Sequence, residues 1–223
     1  MIEIIAATVE DAINAQQGGA DRIELVSALS EGGLTPSYGL IKGVIEAVTI
    51  PVNVMIRPHS KSFVYTDHDL KAMALDIQMA KELGANGVVY GLLTSEKALD
   101  KQGLEQLIAV SDGLDITFHR AIDEQNPVAM MKILATYKEI TTVLTSGGLL
   151  APIDQNTAII NHMIEEAGHI QVLLGGGLNG QNISAIAKSV NTQNFHFGTA
   201  VQTSGEVVAG KVASIKRQLQ EGK

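Results

Sequence analysis

Eight short runs rich in β-branched residues alternate with eight longer segments of helical periodicity, and this alternation restricts the fold more than any other feature of the chain. The runs are IEIIAA (2–7), RIELVS (22–27), VNVMIR (52–57), GVVYGL (87–92), DITFHR (115–120), TTVLTS (141–146), IQVLLG (170–175) and NFHFGT (194–199). Between or after them lie VEDAINAQQ, PSYGLIKGVIEAV, DLKAMALDIQMAKEL, LEQLIAV, PVAMMKILATY, DQNTAIINHMIEEA, GQNISAIAKSV and EVVAGKVASIKRQL. Thr35 before Pro36 and Asn126 before Pro127 each put a capping side chain ahead of a proline at the first helical position. No linker or low-complexity tract interrupts the 223 residues. The pattern predicts an α/β fold, a (β/α)8 TIM barrel forming a single domain over 1–223, with the last few residues disordered. An open doubly wound sheet is the alternative. It is disfavoured because such sheets use about five or six strands and carry their glycine-rich loop after the first strand, whereas here the glycine-rich loops come late.

Charge and composition narrow the function. A formal charge of -8 opposes contact with phosphodiester backbones, which needs clustered Lys and Arg, so no nucleic acid partner is expected. No apolar run reaches the roughly 18 residues of a membrane span, and MIEIIAATVED lacks the basic start of a signal peptide, so the expectation is no membrane partner and a cytoplasmic address. The chain has no cysteine, which removes disulfides, thiolate metal sites and thiol nucleophiles together.

Side chains alternate across a strand, so one parity of each run faces the helices and the other faces the barrel interior. Assigning the aliphatic parity outward leaves Arg22 and Glu24, Asn53, Met55 and Arg57, Thr117 and His119, and Asn194 and His196 pointing inward. This set is more polar than the branched aliphatics that fill most barrel layers, and unpartnered burial would cost a few kcal/mol per group. Glu24, Arg57, His119 and His196 fall near strand C-termini, at the face where barrel active sites are built. Arg120 stands at the same strand end and Asp123 in the loop beyond it. These six residues are the candidate catalytic set.

Three glycine-containing loops follow the late strands: Ser146-Gly147-Gly148, Gly175-Gly176-Gly177 and Gly198-Thr199. Exposed backbone N–H groups after the seventh and eighth strands of a barrel often receive phosphate, and tight turns with positive φ use glycine without any ligand. There is no Walker loop, no strand-one dinucleotide fingerprint and no HExxH pair. No lysine sits late in a strand to form a Schiff base.

Taken together, GGADRIEL (18–25), EGGLTPSYGLI (31–41), VMIRP (54–58) followed by FVYTD (63–67), AKELGANGVVYGLLT (80–94), TFHRAID (117–123) and VLTSGG (143–148) resemble the CutC family of copper homeostasis proteins. The resemblance covers most of the chain in motif order. It implies a TIM barrel, a cytoplasmic location, a homodimer or higher homo-oligomer, and copper binding or handling. The chain departs from the family where cysteines are common, carrying Ala6 and Ala7 in the first strand and Val26 after IEL. It also has His59-Ser60-Lys61-Ser62 in place of an arginine- and glycine-rich loop. Cu(I) favours soft ligands, so a copper site here would be built from Met55, His119 and His196. Met55 filling a barrel layer is the alternative.

Three functions follow as expectations. The first is a copper homeostasis protein that binds copper. A second is a barrel enzyme acting on a small anionic or phosphorylated metabolite, with His119 as general acid or base titrating near neutrality, Glu24 as a second acid/base group or the orienting carboxylate, Arg57 as anion clamp and the glycine loops receiving phosphate. The third is a non-catalytic interaction module, marked by an apolar patch away from the mouth.

Overall fold

A computed structural model describes residues 1–221, so the expected disorder at 222–223 lies outside the described residues. All eight runs form strands: β1 (Ile2–Ala6), β2 (Arg22–Leu25), β3 (Val52–Met55), β4 (Gly87–Tyr90), β5 (Asp115–Phe118), β6 (Ile140–Thr145), β7 (Gln171–Leu174) and β8 (Phe195–Phe197). They pair in parallel in sequence order, and β8 closes on β1 to give a sealed barrel. Helices α1 (Val9–Gln17), α2 (Tyr38–Ala47), α3 (Asp67–Glu82), α4 (Lys101–Val110), α5 (Pro127–Leu134), α6 (Thr157–Glu166), α7 (Ile183–Ser189) and α8 (Ala209–Glu221) follow the strands in turn.

The strands end before the apolar runs do. Arg57, His119, Ser146 and Gly175 therefore leave the ladder and enter the loops of the mouth.

Helix starts follow capping chemistry, with one correction. Asn126 caps α5 through Ala129 N (3.1 Å), with Pro127 at the first position. Thr35 does not cap α2. Its hydroxyl accepts from the backbone N–H of Arg57 at 2.9 Å, and Ser37 caps the helix instead through Leu40 N at 3.3 Å. The segment EVVAG, expected to open the last helix, also differs. Gln202–Thr203 and Glu206–Val207 form a short antiparallel hairpin, β9 and β10. Its turn has Ser204 and Gly205 at φ 53 and 87, the backbone that two-residue hairpins need. Asp11 anchors it by accepting from Val207 N at 2.8 Å while also accepting from Ala7 N at 3.2 Å.

The alternation holds in packing. Ile23, Leu25, Val54, Phe118, Phe195 and Phe197 are buried between sheet and helices, each stabilising the fold by about 1.5–3 kcal/mol. Inside the barrel, Ile5, Val26, Met55 and Val89 form a second, smaller apolar cluster.

Candidate active site

The floor of the mouth is made by neighbouring strands. Glu3 is in register with Arg22 on one side and His196 on the other, so three inward side chains of neighbouring strands meet at one level. Arg22 Nε donates to Glu3 Oε2 at 2.5 Å, and His196 Nδ1 lies 2.7 Å from Glu3 Oε1. His196 Nε2 stands 3.8 Å from Glu24 Oε2. All four residues are buried. Glu24 Oε1 and Arg22 Nη2 have no partner among the described residues.

Burial and pairing divide the two carboxyls. Burial alone would raise Glu3, but the Arg22 guanidinium and the His196 ring overcome it and hold Glu3 below the usual carboxylate range. Glu24 lacks such pairing, and burial, with Glu3's charge adding, pushes it up to about 7 against the pull of His196 and Arg22. His196 is depressed by burial yet ends above its ordinary value, because Glu24 and Glu3 favour its charged form. Two carboxyls with separated proton affinities are the usual mark of divided acid/base roles.

The upper wall is cationic and donor-rich. Arg57 Nη1 donates to the carbonyls of Glu31 (2.9 Å) and Gly33 (3.1 Å), and Nη2 reaches that of Ser60 at 3.5 Å. None of these partners is charged, and Nε has none. The Phe63 ring packs on both the Arg57 guanidinium (4.8 Å) and the His119 ring (4.7 Å). His119 Nδ1 accepts from Ala121 N at 3.2 Å, so the neutral ring carries its proton on Nε2, which is buried without a partner. Burial, with Arg57 and Arg120 adding, lowers His119 to about 3. This differs from the expectation of a histidine titrating near neutrality: burial and the neighbouring guanidinium groups favour the neutral ring. Its ring lies against Gly91, where an added Cβ would come within 2.5 Å of Nδ1.

Glu24, Met55, Arg57, His119, Arg120, His196, Gly176, Gly177, Gly198 and Thr199 all line one cavity of about 600 Å³. The other predicted residues do not. Asp123 is turned away and satisfied: it accepts from Thr145 Oγ1 (2.5 Å), Ser146 N (2.9 Å), Ser146 Oγ (2.8 Å), Gly148 N (3.2 Å) and Arg120 Nε (3.0 Å). It positions Arg120, which also donates to Ser146 Oγ at 3.0 Å. Gly147 and Gly148 line a second cavity beside exposed Leu150 and Ile159. Gly175 gives space to His196, whose Cδ2 would lie 3.0 Å from a Cβ there, and Gly176 lies under the Arg120 guanidinium. Glu3 and Phe63 were not among the sequence candidates. The strand parity that exposes Glu24 also turns Glu3 inward, but Phe63 has no comparable local signal.

The donors do not fit a Cu(I) ion as arranged. Met55 offers a thioether packed among Ile5, Val26 and Val89, and the chain has no thiolate. His196 is held between two carboxylates in surroundings favouring its protonated form. His119 has one nitrogen occupied and the other protonated. Ligand-type atoms of Glu3, Glu24 and His196 do lie within 4.8 Å of one another, but Arg22 already supplies the positive charge there.

Fold and site define a (β/α)8 barrel whose mouth holds a buried carboxyl, Glu24, in one cavity with Arg57, His119 and Arg120. The CutC family model matches residues 1–201. The chain is 42% identical to the copper homeostasis protein cutC homolog of Homo sapiens, over 88% of this chain and 72% of that protein. It is 37% identical to a CutC family protein of Pasteurella multocida, over 87% and 80%. A crystal structure of CutC from Streptococcus agalactiae superposes with TM-score 0.83 at 33% identity, covering 91% of this chain and 99% of that one. The chain belongs to the CutC family. Phosphoribosylanthranilate isomerase from Thermotoga maritima shares the barrel at TM-score 0.68 and 15% identity, over 99% and 98% of the two chains.

Proposed function

We propose that this chain binds a small organic anion in the barrel mouth and that Glu24 exchanges a proton with it. One observation carries the reading: Glu24 puts an unpaired buried oxygen at the cavity floor, in surroundings that hold its carboxyl at about 7. A carboxyl poised there both takes and gives protons at neutral pH. Arg57, whose charge has no contacting counter-ion, and the His119 Nε2–H supply the attraction for the anion. Cytoplasmic placement and homo-oligomeric assembly, implied by the family, belong to the same proposal. No described helix is long and apolar enough to cross a membrane.

Copper binding is the second reading. It draws on the names of the relatives and on Met55, His119 and His196 lining one cavity. A single experiment separates the two: thermal unfolding with a panel of small carboxylates and phosphates, and separately with Cu(I) under argon. A bound anion at about 100 times its Kd is expected to raise Tm by about 5–10 °C. The rise should disappear in His119→Ala, and Cu(I) should leave Tm unchanged. A rise with Cu(I) alone would replace the anion reading with the copper one.

A further inference from the structure

We propose that the ligand is a carbon acid of the 2-oxo acid class, with Glu24 removing a proton from the carbon beside the carbonyl while His119 and Arg57 receive the developing oxyanion. The inference rests on the anion reading above and names the substrate class and the kind of step. Of the three carboxyl side chains lining the cavity, Glu24, Glu31 and Glu124, only Glu24 is buried, and it has an unpartnered oxygen, while His119 Nε2 and Arg57 Nε are buried donors without a partner. His119 cannot act as a base through Nδ1, which is occupied by Ala121 N–H, and its Nε2 carries the proton. Arg57 has only donors, and its Nε is buried with no partner. Both sit against Phe63, which covers them on one side with an apolar ring.

The same cavity is lined by Ile5, Met55, Leu144 and Leu178, apolar surface that suits a ligand with a carbon skeleton. Other step types lack their parts. Among the cavity-lining residues there is no lysine for a Schiff base. The nearby Ser146 hydroxyl is committed to Asp123 and Arg120. A neutral imidazole donor paired with a cation suits an oxygen that gains charge during the reaction and is not anionic beforehand.

The step balances without a co-reactant. The C–H bond breaks and its proton goes to a Glu24 oxygen. The electron pair forms C=C, and the carbonyl π pair moves to the oxygen held by His119 Nε2–H and Arg57. Reversal returns the proton to the same carbon and restores the carbonyl. Arg120, half-exposed above Gly176, is placed to hold the acid's carboxylate.

The test uses full-length protein with 15N-labelled histidine, titrated at pH 7 with oxalate, a planar stand-in for the enolate of a 2-oxo acid, and with acetate. Oxalate is expected to bind at least tenfold more tightly than acetate and to move the His119 Nε2–H resonance. His119→Gln should erase the preference, while Glu24→Gln should keep it. Equal binding of the two anions, or tighter oxalate binding with the His119 resonance unmoved, would overturn the carbon-acid assignment and leave the anion reading standing. Binding of neither anion would overturn the carbon-acid assignment, and the anion reading with it if no phosphate of the thermal panel raises Tm.

Discussion

Glu3→Ala is expected to destabilise the protein by about 3–5 kcal/mol, the cost of leaving buried charges without their partner. Glu3 has no exposed surface and serves two partners at once, the Arg22 guanidinium at 2.5 Å and the His196 ring at 2.7 Å. Its loss leaves the Arg22 guanidinium and the His196 ring, on the two strands that flank β1, with only Glu24 near, and Arg22 Nη2 already lacks a partner. Urea unfolding at pH 7 measures the loss. Glu3→Gln keeps the volume and one acceptor, so it should recover a minor part of it. A change below about 1 kcal/mol, the range of a surface ion pair, would mean that water reaches this floor.

Asp123→Ala is the second large effect, about 3 kcal/mol or more. Five donors converge on this carboxylate, from β5's trailing loop, the end of β6 and the Ser146-Gly148 turn. Bonds to a charged group contribute roughly 1.5–3 kcal/mol each, and a donor stranded in the interior costs 1–3 kcal/mol, without simple additivity. Amide exchange separates a local from a global effect. The Ser146 and Gly148 amides should lose protection in Asp123→Ala far more than the β1 and β2 amides do. Uniform loss across the barrel would contradict the assignment of Asp123 as the post of this loop.

The barrel was legible because regular strands repeat every two residues. The parity that put Ile23 and Leu25 outward also put Arg22 and Glu24 inward, and it worked equally for Met55, His119 and His196. The same rule reaches Glu3, which escapes notice because IEIIAA looks like an ordinary apolar run. Loops carry no such period. Whether Asp123 faces the cavity or the β6 turn is decided by Ser146, 23 residues away, and nothing in TFHRAID encodes it. Thr35 has the chemistry of a cap, yet Arg57 N takes its hydroxyl across 22 residues. Protonation was the least legible property, since His119 owes its neutral state to burial beside two guanidinium groups, a three-dimensional fact.

The central claim is that Glu24 is a buried carboxyl poised near neutrality. Burial raises it from 4.5 to about 7, so between these values the folded protein holds a proton that the unfolded chain has released. This contribution to stability therefore declines as pH rises through that window. The groups facing Glu24 are Glu3 from β1, Arg22 from β2 and His196 from β8. The most direct test is the 13C chemical shift of the Glu24 side-chain carboxyl followed from pH 3 to pH 9, with Glu24→Gln used to assign the resonance. A midpoint near 7 is the result expected here. A midpoint near 4.5 would show an ordinary carboxylate, and the proton-transfer role would fall with it.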